Sequence, residues 1–229
     1  MVNVLDVREK FDRKVQPVTV LRTEIDRPFV HINFALDDEA RTTAEDGKQT
    51  VLSCDRDWQR VHKLREQYSA IAVGANTWLN DSPRLTARSE YLGRPPIRQP
   101  DRVIFAGRTL CPFTRDLQRR TFIIGCLGPV EESESIFIHT PDRDVLPPLK
   151  ALHHHNITSL LVEGGLTLIH SFLGQNVLDL LTIYVRTTST ETAIQAAVRA
   201  LPSFPSDSLT AEPLGHGVLL STQHNQSHR

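Results

Sequence analysis

Apolar residues in this chain come in short runs, and between the runs they recur at helical spacing. Phe29–Ala35 is the first such run, rich in β-branched and aromatic residues, and it reads as a strand. A polar stretch from Asp37 to Gly47 closes it. Asp55 then stands at an N-cap position, and Trp58, Val61, His62, Leu64 and Arg65 follow at helical spacing. Ala70–Gly74 predicts a short buried strand, and Asn76–Pro83 a brief helix or turn stopped by proline. Residues 89–100, with three prolines, read as an exposed connection. Apolar runs at Arg102–Gly107, Arg120–Gly125 and Ser135–His139 predict strands, and Val145–His154 a helix. A strand from Leu160, a helix after Gly165, a strand at Leu180–Val185, a capped helix over Ser189–Leu201 and a last strand at Gly217–Ser221 complete the reading.

Strands alternating with helices predict an α/β fold with a central, mostly parallel sheet flanked by helices on both faces. One domain over residues 27–221 accounts for the pattern. Residues 1–26 read as a charged arm, and residues 222–229 as a flexible polar tail. In open sheets of this kind, ligands bind at the carboxyl ends of the strands. The glycine-bearing ends at Gly74, Gly107 and Gly164–Gly165 are therefore expected to line one crevice.

Charge narrows the function classes. Lys plus Arg number 26 and Asp plus Glu 27, so no global field recruits nucleic acid or an acidic membrane. The start is charged throughout, and no apolar run is long enough to span a bilayer, so a cytoplasmic protein is expected. Cys54, Cys111 and Cys126 are odd in number and widely spaced, which suggests reduced thiols, with no disulfide frame or zinc site. The run His153–His155 has no carboxylate or cysteine beside it in sequence and reads as a solvated turn, so no metal is expected.

The densest local signal is Leu160-Leu-Val-Glu-Gly-Gly165, an apolar run that ends in an acid and two glycines just where a helix begins. Glycines there permit φ > 0 and close backbone approach, and the free N–H groups of a helix start suit an anion such as a pyrophosphate. A tight strand-to-helix turn uses the same glycines without a ligand. No Gly-x-Gly-x-x-Gly element is present, which argues against an ordinary Rossmann site. Glu39 and Glu163 are candidate catalytic acids, since an acid in an apolar cleft delivers a proton near neutral pH. A solvated loop acid and a helix N-terminal cap are the competing readings.

Two blocks read together as a family signature. One is Arg60-Val-His-Lys-Leu-Arg65, Ala70–Thr77 and Asn80–Arg88; the other is Leu160–Gly165 with Val177-Leu-Asp179. Their order and spacing resemble the pyrimidine reductases of riboflavin biosynthesis, from about Arg27 to Leu220. That family includes the C-terminal half of the bifunctional deaminase–reductase and stand-alone archaeal and fungal reductases. The resemblance implies a dihydrofolate-reductase-like fold, NADPH as cofactor, a phosphorylated ribosylamino-pyrimidine whose sugar is reduced to ribityl, and a homodimer. It implies cofactor contacts at Gly74, Thr77, Arg108, Gly164 and Gly165, with Arg108 near the adenosine 2′-phosphate. It implies substrate contacts at Asn33, Ala35, Asp81, Arg84, Leu85 and Arg88, and places Glu163 at the pocket floor.

The chain departs from the family pattern in three places. Asp37-Asp-Glu-Ala-Arg41 replaces Ser-x-Asp-Gly-Lys, so the acid shifts to Glu39 and a glycine becomes Ala40. Ser82 stands where the family has a second acid, and Arg186–Glu191 replaces a Pro-x-x-x-Gly-Gly element. These departures keep two rivals open: a paralogue of the same fold acting on another substrate, and a non-catalytic nucleotide-binding subunit.

Overall fold

The computed structural model describes residues 26–42, 51–112, 118–128 and 135–222. Of the expected arm over residues 1–26 and tail over 222–229, residues 1–25 and 223–229 lie outside the described residues, and Thr222 belongs to the last strand. The elements are β1 (Phe29–Asp37), α1 (Asp55–Gln67), β2 (Ala70–Gly74), α2 (Ala75–Asp81), α3 (Ser89–Leu92), β3 (Asp101–Gly107), β4 (Thr121–Gly125) and β5 (Ile136–His139). They continue as α4 (Leu146–His154), β6 (Ser159–Gly164), α5 (Leu166–Gly174), β7 (Leu180–Arg186), α6 (Thr190–Ala200), β8 (Leu209–Leu214) and β9 (Gly217–Thr222).

All nine strands form one sheet in the order β5-β4-β3-β2-β6-β1-β7-β9-β8. Pairing is parallel from β5 to β7, and β9 runs antiparallel to both β7 and β8. Strand alternation divides the core between the two faces. In β2, Ala70 and Ala72 join a cluster with Leu149, Ile169, Phe172 and Ala196, from α4, α5 and α6. Ile71 and Val73 point the other way, toward Tyr68, Trp78 and Leu85. Side chains such as Phe122 and Phe172 are 0% exposed, and each such burial stabilises the fold by about 1.5–3 kcal/mol.

Three expectations need correcting. Cys54, not Asp55, is the N-cap of α1, and no side chain caps that helix. Asp55 and the buried Asp57 instead place carboxylates in its first turn, where the helix dipole favours them. Residues 89–100 are not a bare connection. They contain α3, and Glu66 accepts hydrogen bonds from Arg94 and from the Ile97 N–H, which ties the segment back to α1.

The chain also does not end on a lone strand. β8 precedes β9 in a hairpin turned at Gly215; its middle residues Thr210 to Pro213 are exposed, and Pro213 argues against a strand. β9 is therefore an internal strand, so the apolar run at Gly217–Ser221 lends no support to a subunit contact.

The altered turn after β1 keeps a glycine-like geometry. Ala40 has φ 70°, and the buried Asp37 carboxylate accepts from the N–H groups of Glu39 and Arg41 and from Arg41 Nε, at 3.0, 2.8 and 2.8 Å. Burial alone would raise the Asp37 carboxyl. The backbone and side-chain bonds from Arg41 outweigh it and hold the group below its ordinary value.

Candidate active site

The carboxyl ends of β2, β3, β4 and β6 open onto one cavity of about 740 Å³. Its wall draws on several strand ends. Gly74, Thr77 and Asp81 come from the β2–α2 junction, Gly107 and Arg108 from the end of β3, and Gly165 to Leu168 from the start of α5. Of the glycines expected on one crevice, Gly74, Gly107 and Gly165 line the cavity; Gly164 does not, and faces the Thr77 side chain instead.

Local geometry explains the glycines. Gly165 sits at φ 85°, and a Cβ there would meet Thr77 Oγ1 at 3.3 Å. A Cβ on Gly125 would lie 2.5 Å from the Gly107 carbonyl oxygen, so the ends of β3 and β4 pair closely only without one. No side chain caps α5, and its first turn lines the cavity. The opening N–H groups of a helix have no intrahelical partner. A cavity of this size with a helix start in its wall suits an elongated anion.

The acids are distributed differently from the sequence expectation. Asp81 is on the cavity wall, and partial burial raises its carboxyl above the ordinary value. Glu163 is not a cap and does not line that cavity. Its two oxygens accept from Arg65 Nε and Nη2 at 2.8 and 2.7 Å, with both side chains at least nine-tenths buried. A carboxylate in a bidentate pair is an acceptor. Glu39 is exposed and paired with Arg41. The structure therefore does not bring Glu39 and Glu163 together with the glycines; Asp81, Asp142 and Asp144 are the acids that line the cavity, and of these burial raises the carboxyl of Asp81.

The expected substrate set also separates. Asp81 joins the cavity, whereas Asn33 and Ala35 lie on β1, opposite Thr182 and Tyr184 of β7. Asn33 is 4% exposed and accepts from Arg60 Nη2 on α1 at 2.8 Å. Leu85 is buried in the core at φ 50°, and Arg119 donates to the Arg84 and Leu85 carbonyls. The Arg84 side chain is exposed. Arg88 donates its backbone N–H to His62 Nδ1 at 3.0 Å, and its Nε is buried without a partner among the described residues. Arg65 donates to the Thr86 carbonyl, so α1 holds this loop from beneath.

Two groups of residues were not foreseen. Thr140, Arg143 and Asp144, after β5, form the far wall of the cavity. Their polar sequence resembles any connecting loop, and only the sheet order brings it beside the end of β4. The other group is a buried polar chain behind Asn33, in which His31 contacts the Tyr68 hydroxyl at 2.7 Å and Thr182 Oγ1 at 2.8 Å. A usable signal existed for it: His31, Asn33 and Thr182 interrupt otherwise apolar strands. Burial, and then the charge of Arg60, lower the His31 pKa from 6.5 to about 3.

Comparison with known proteins follows the same geometry. The family model described as the RibD C-terminal domain matches residues 28–188. The chain is 33% identical over 176 residues to a protein of Archaeoglobus fulgidus named 2,5-diamino-6-ribosylamino-4(3H)-pyrimidinone 5′-phosphate reductase, covering 69% of this chain and 80% of that one. It is 30% identical over 158 residues to the riboflavin biosynthesis protein RibD of Mycobacterium tuberculosis, covering 69% of this chain but only 42% of that one. Among solved structures, RibD of Acinetobacter baumannii superposes with a TM-score of 0.68 at 23% identity, over 88% of this chain and 59% of its own. That likeness shows the fold: a large, mostly parallel sheet flanked by helices.

Proposed function

The chain belongs to the RibD C-terminal domain family, and we propose that it is an NADPH-dependent reductase of riboflavin biosynthesis. In this reading it converts the ribosyl group of a 5-phosphoribosylamino-pyrimidine to ribityl. The observation that carries the reading is the cavity where Gly74, Thr77, Arg108, Gly165 and Asp81 meet at the carboxyl edge of the sheet.

The residues present fit a dinucleotide. A cradle that a Cβ would obstruct lies at Gly165, against Thr77, and the start of α5 offers its N–H groups to a pyrophosphate. Arg108, exposed on the cavity rim, supplies a planar cation for a 2′-phosphate. When bound, the nicotinamide cofactor supplies the hydride for the sugar carbon. The protein's part is to fix the reacting groups and to handle one proton. Asp81 is the acid suited to that proton: its raised pKa keeps it protonated to higher pH than an ordinary aspartate, so it can donate to the sugar oxygen released as the ring opens. Arg84, which is exposed, and Arg88, whose backbone N–H is held by His62, are the cations proposed for the substrate phosphate.

A homodimer in the cytoplasm belongs to the same proposal. No described helix is long and apolar enough to cross a membrane. The test is genetic. Expression of this chain in a riboflavin auxotroph that lacks only the pyrimidine reductase should restore growth without riboflavin. Failure to rescue by well-folded, expressed protein would favour the paralogue or the silent subunit.

A further inference from the structure

The sulfur of Cys54 sits where separate parts of the chain meet. Cys54 precedes α1, the Tyr184 side chain comes from β7, and Leu214 to Gly217 turn from β8 into β9. Neither Cys54 nor Tyr184 lines the cavity. Two glycines let the hairpin turn close over the pair. A Cβ on Gly215 would lie 2.5 Å from Cys54 Sγ, and one on Gly217 would overlap the Tyr184 ring and hydroxyl. Cys54 stays partly exposed, whereas Tyr184 is 0% exposed.

Tyr184 brings a donor without a proper acceptor. Its hydroxyl is buried with no hydrogen-bond partner among the described residues, and it faces the Cys54 sulfur. Burial first, and then Cys54, raise the phenol, so it keeps its hydrogen. A thiol sulfur accepts only weakly, and a buried hydroxyl left unpaired is costly. The N–H groups of Asp57, His216 and Arg56 also face the sulfur, although the side chain makes no cap on α1. Burial alone would raise the Cys54 thiol. These donors, Tyr184 foremost, outweigh it and hold the group below its ordinary value. The Leu214 carbonyl, 3.5 Å from Sγ, accepts the thiol hydrogen. The positive end of the α1 dipole favours losing that hydrogen.

We propose that Cys54 is an oxidation site, at which a small hydroperoxide transfers one oxygen to the sulfur and the Tyr184 hydroxyl donates to that oxygen. The added oxygen gives the buried phenol the acceptor it lacks. In this step the deprotonated sulfur attacks the terminal peroxide oxygen, and the S–O bond forms as the O–O bond breaks. The sulfur loses two electrons and the peroxide gains them. The terminal oxygen keeps its hydrogen, which gives a sulfenic acid, and the departing oxygen takes a proton from water. The chemistry is independent of the reductase reading, since the cavity takes no part in it.

The other cysteines of the same molecule supply the comparison. Cys111 is 3% exposed and burial raises its thiol, while Cys126 is partly exposed like Cys54. Full-length protein is treated with hydrogen peroxide in the presence of dimedone, which traps sulfenic acids, and the adduct on each cysteine is followed by peptide mass spectrometry. Cys54 should be trapped about tenfold faster than Cys126, with Cys111 unlabelled. Tyr184→Phe should slow Cys54 about three- to tenfold and leave Cys126 unchanged, with melting temperatures on the same samples showing that the fold persists. A Cys54 no faster than Cys126, or a Cys54 rate untouched in folded Tyr184→Phe, overturns the proposal. If Tyr184→Phe does not fold, the wild-type rates alone decide.

Discussion

Arg108, Asp81 and His31 show three ways in which single side chains bear on this protein. Arg108 is a cation on the cavity rim, and removing it should weaken NADPH by about ten- to a hundredfold, since a charge-assisted bond contributes about 1.5–3 kcal/mol. Titration of Arg108→Ala with NADPH and NADH checks this; equal losses for both cofactors would take the residue away from the 2′-phosphate. Asp81→Asn should lower kcat by about 10²–10⁴-fold with the fold intact. Because burial raises the Asp81 pKa, wild-type kcat should fall as pH rises through that value, and Asp81→Asn should lose this limb of the profile. His31 acts on stability. Its folded pKa of about 3 lies below the ordinary 6.5, so the unfolded chain takes up the proton first. Stability is then full above the ordinary pKa and declines as pH falls toward 3, by about 2 kcal/mol at pH 5 from this residue. Urea unfolding at neutral pH and at pH 5 tests it, and His31→Gln should shrink the difference, while His62, whose pKa burial also lowers to about 3, keeps part of it. These residues were unequally legible. Arg108 follows a glycine-ended strand and could be singled out, whereas the place of Asp81 on the cavity wall depends on the fold of α2.

At the scale of elements, the strand-to-helix turns shape the cavity. Gly165 has φ 85° and faces Thr77, so Gly165→Val should both lower the melting temperature and abolish NADPH binding. Unchanged NADPH affinity in the fraction that stays native would reduce the turn to scaffolding. Ser82, the C-cap of α2, is exposed at φ 42°, a conformation glycine adopts without strain. Ser82→Gly should therefore raise stability by about 0.5–1 kcal/mol, read as a higher urea midpoint at constant slope. Element types followed from apolar spacing because buried strands and amphipathic helices must show it. β8 did not, since an edge strand with exposed residues and a proline has no buried face to encode. Glu163, expected as a catalytic acid with a helix cap as the competing reading, is neither on the cavity wall nor a cap, for a related reason. Its sequence neighbours, two glycines and a helix, suggest a cap, while its actual partner Arg65 comes from α1, distant in sequence.

For the whole molecule, the parallel α/β class was legible and the strand order was not. Placing β1 between β6 and β7 depends on crossovers that no local pattern specifies, and that placement brings Asn33 beside Thr182. The same order puts the loop after β5 on the cavity wall, which is why Arg143 and Thr140 went unseen. A homodimer should appear in light scattering at micromolar protein as twice the 25.8 kDa chain mass; the chain mass itself would refute it. The central claim is chemical and has a direct test. Purified protein is incubated with NADPH deuterated on the transferred position of the nicotinamide and with 2,5-diamino-6-ribosylamino-4(3H)-pyrimidinone 5′-phosphate, and the product is examined by mass spectrometry and NMR. The account predicts a ribityl product with deuterium on C1′ and one equivalent of oxidised cofactor. Bound NADPH that stays reduced, with the ribosyl compound unchanged, would contradict it.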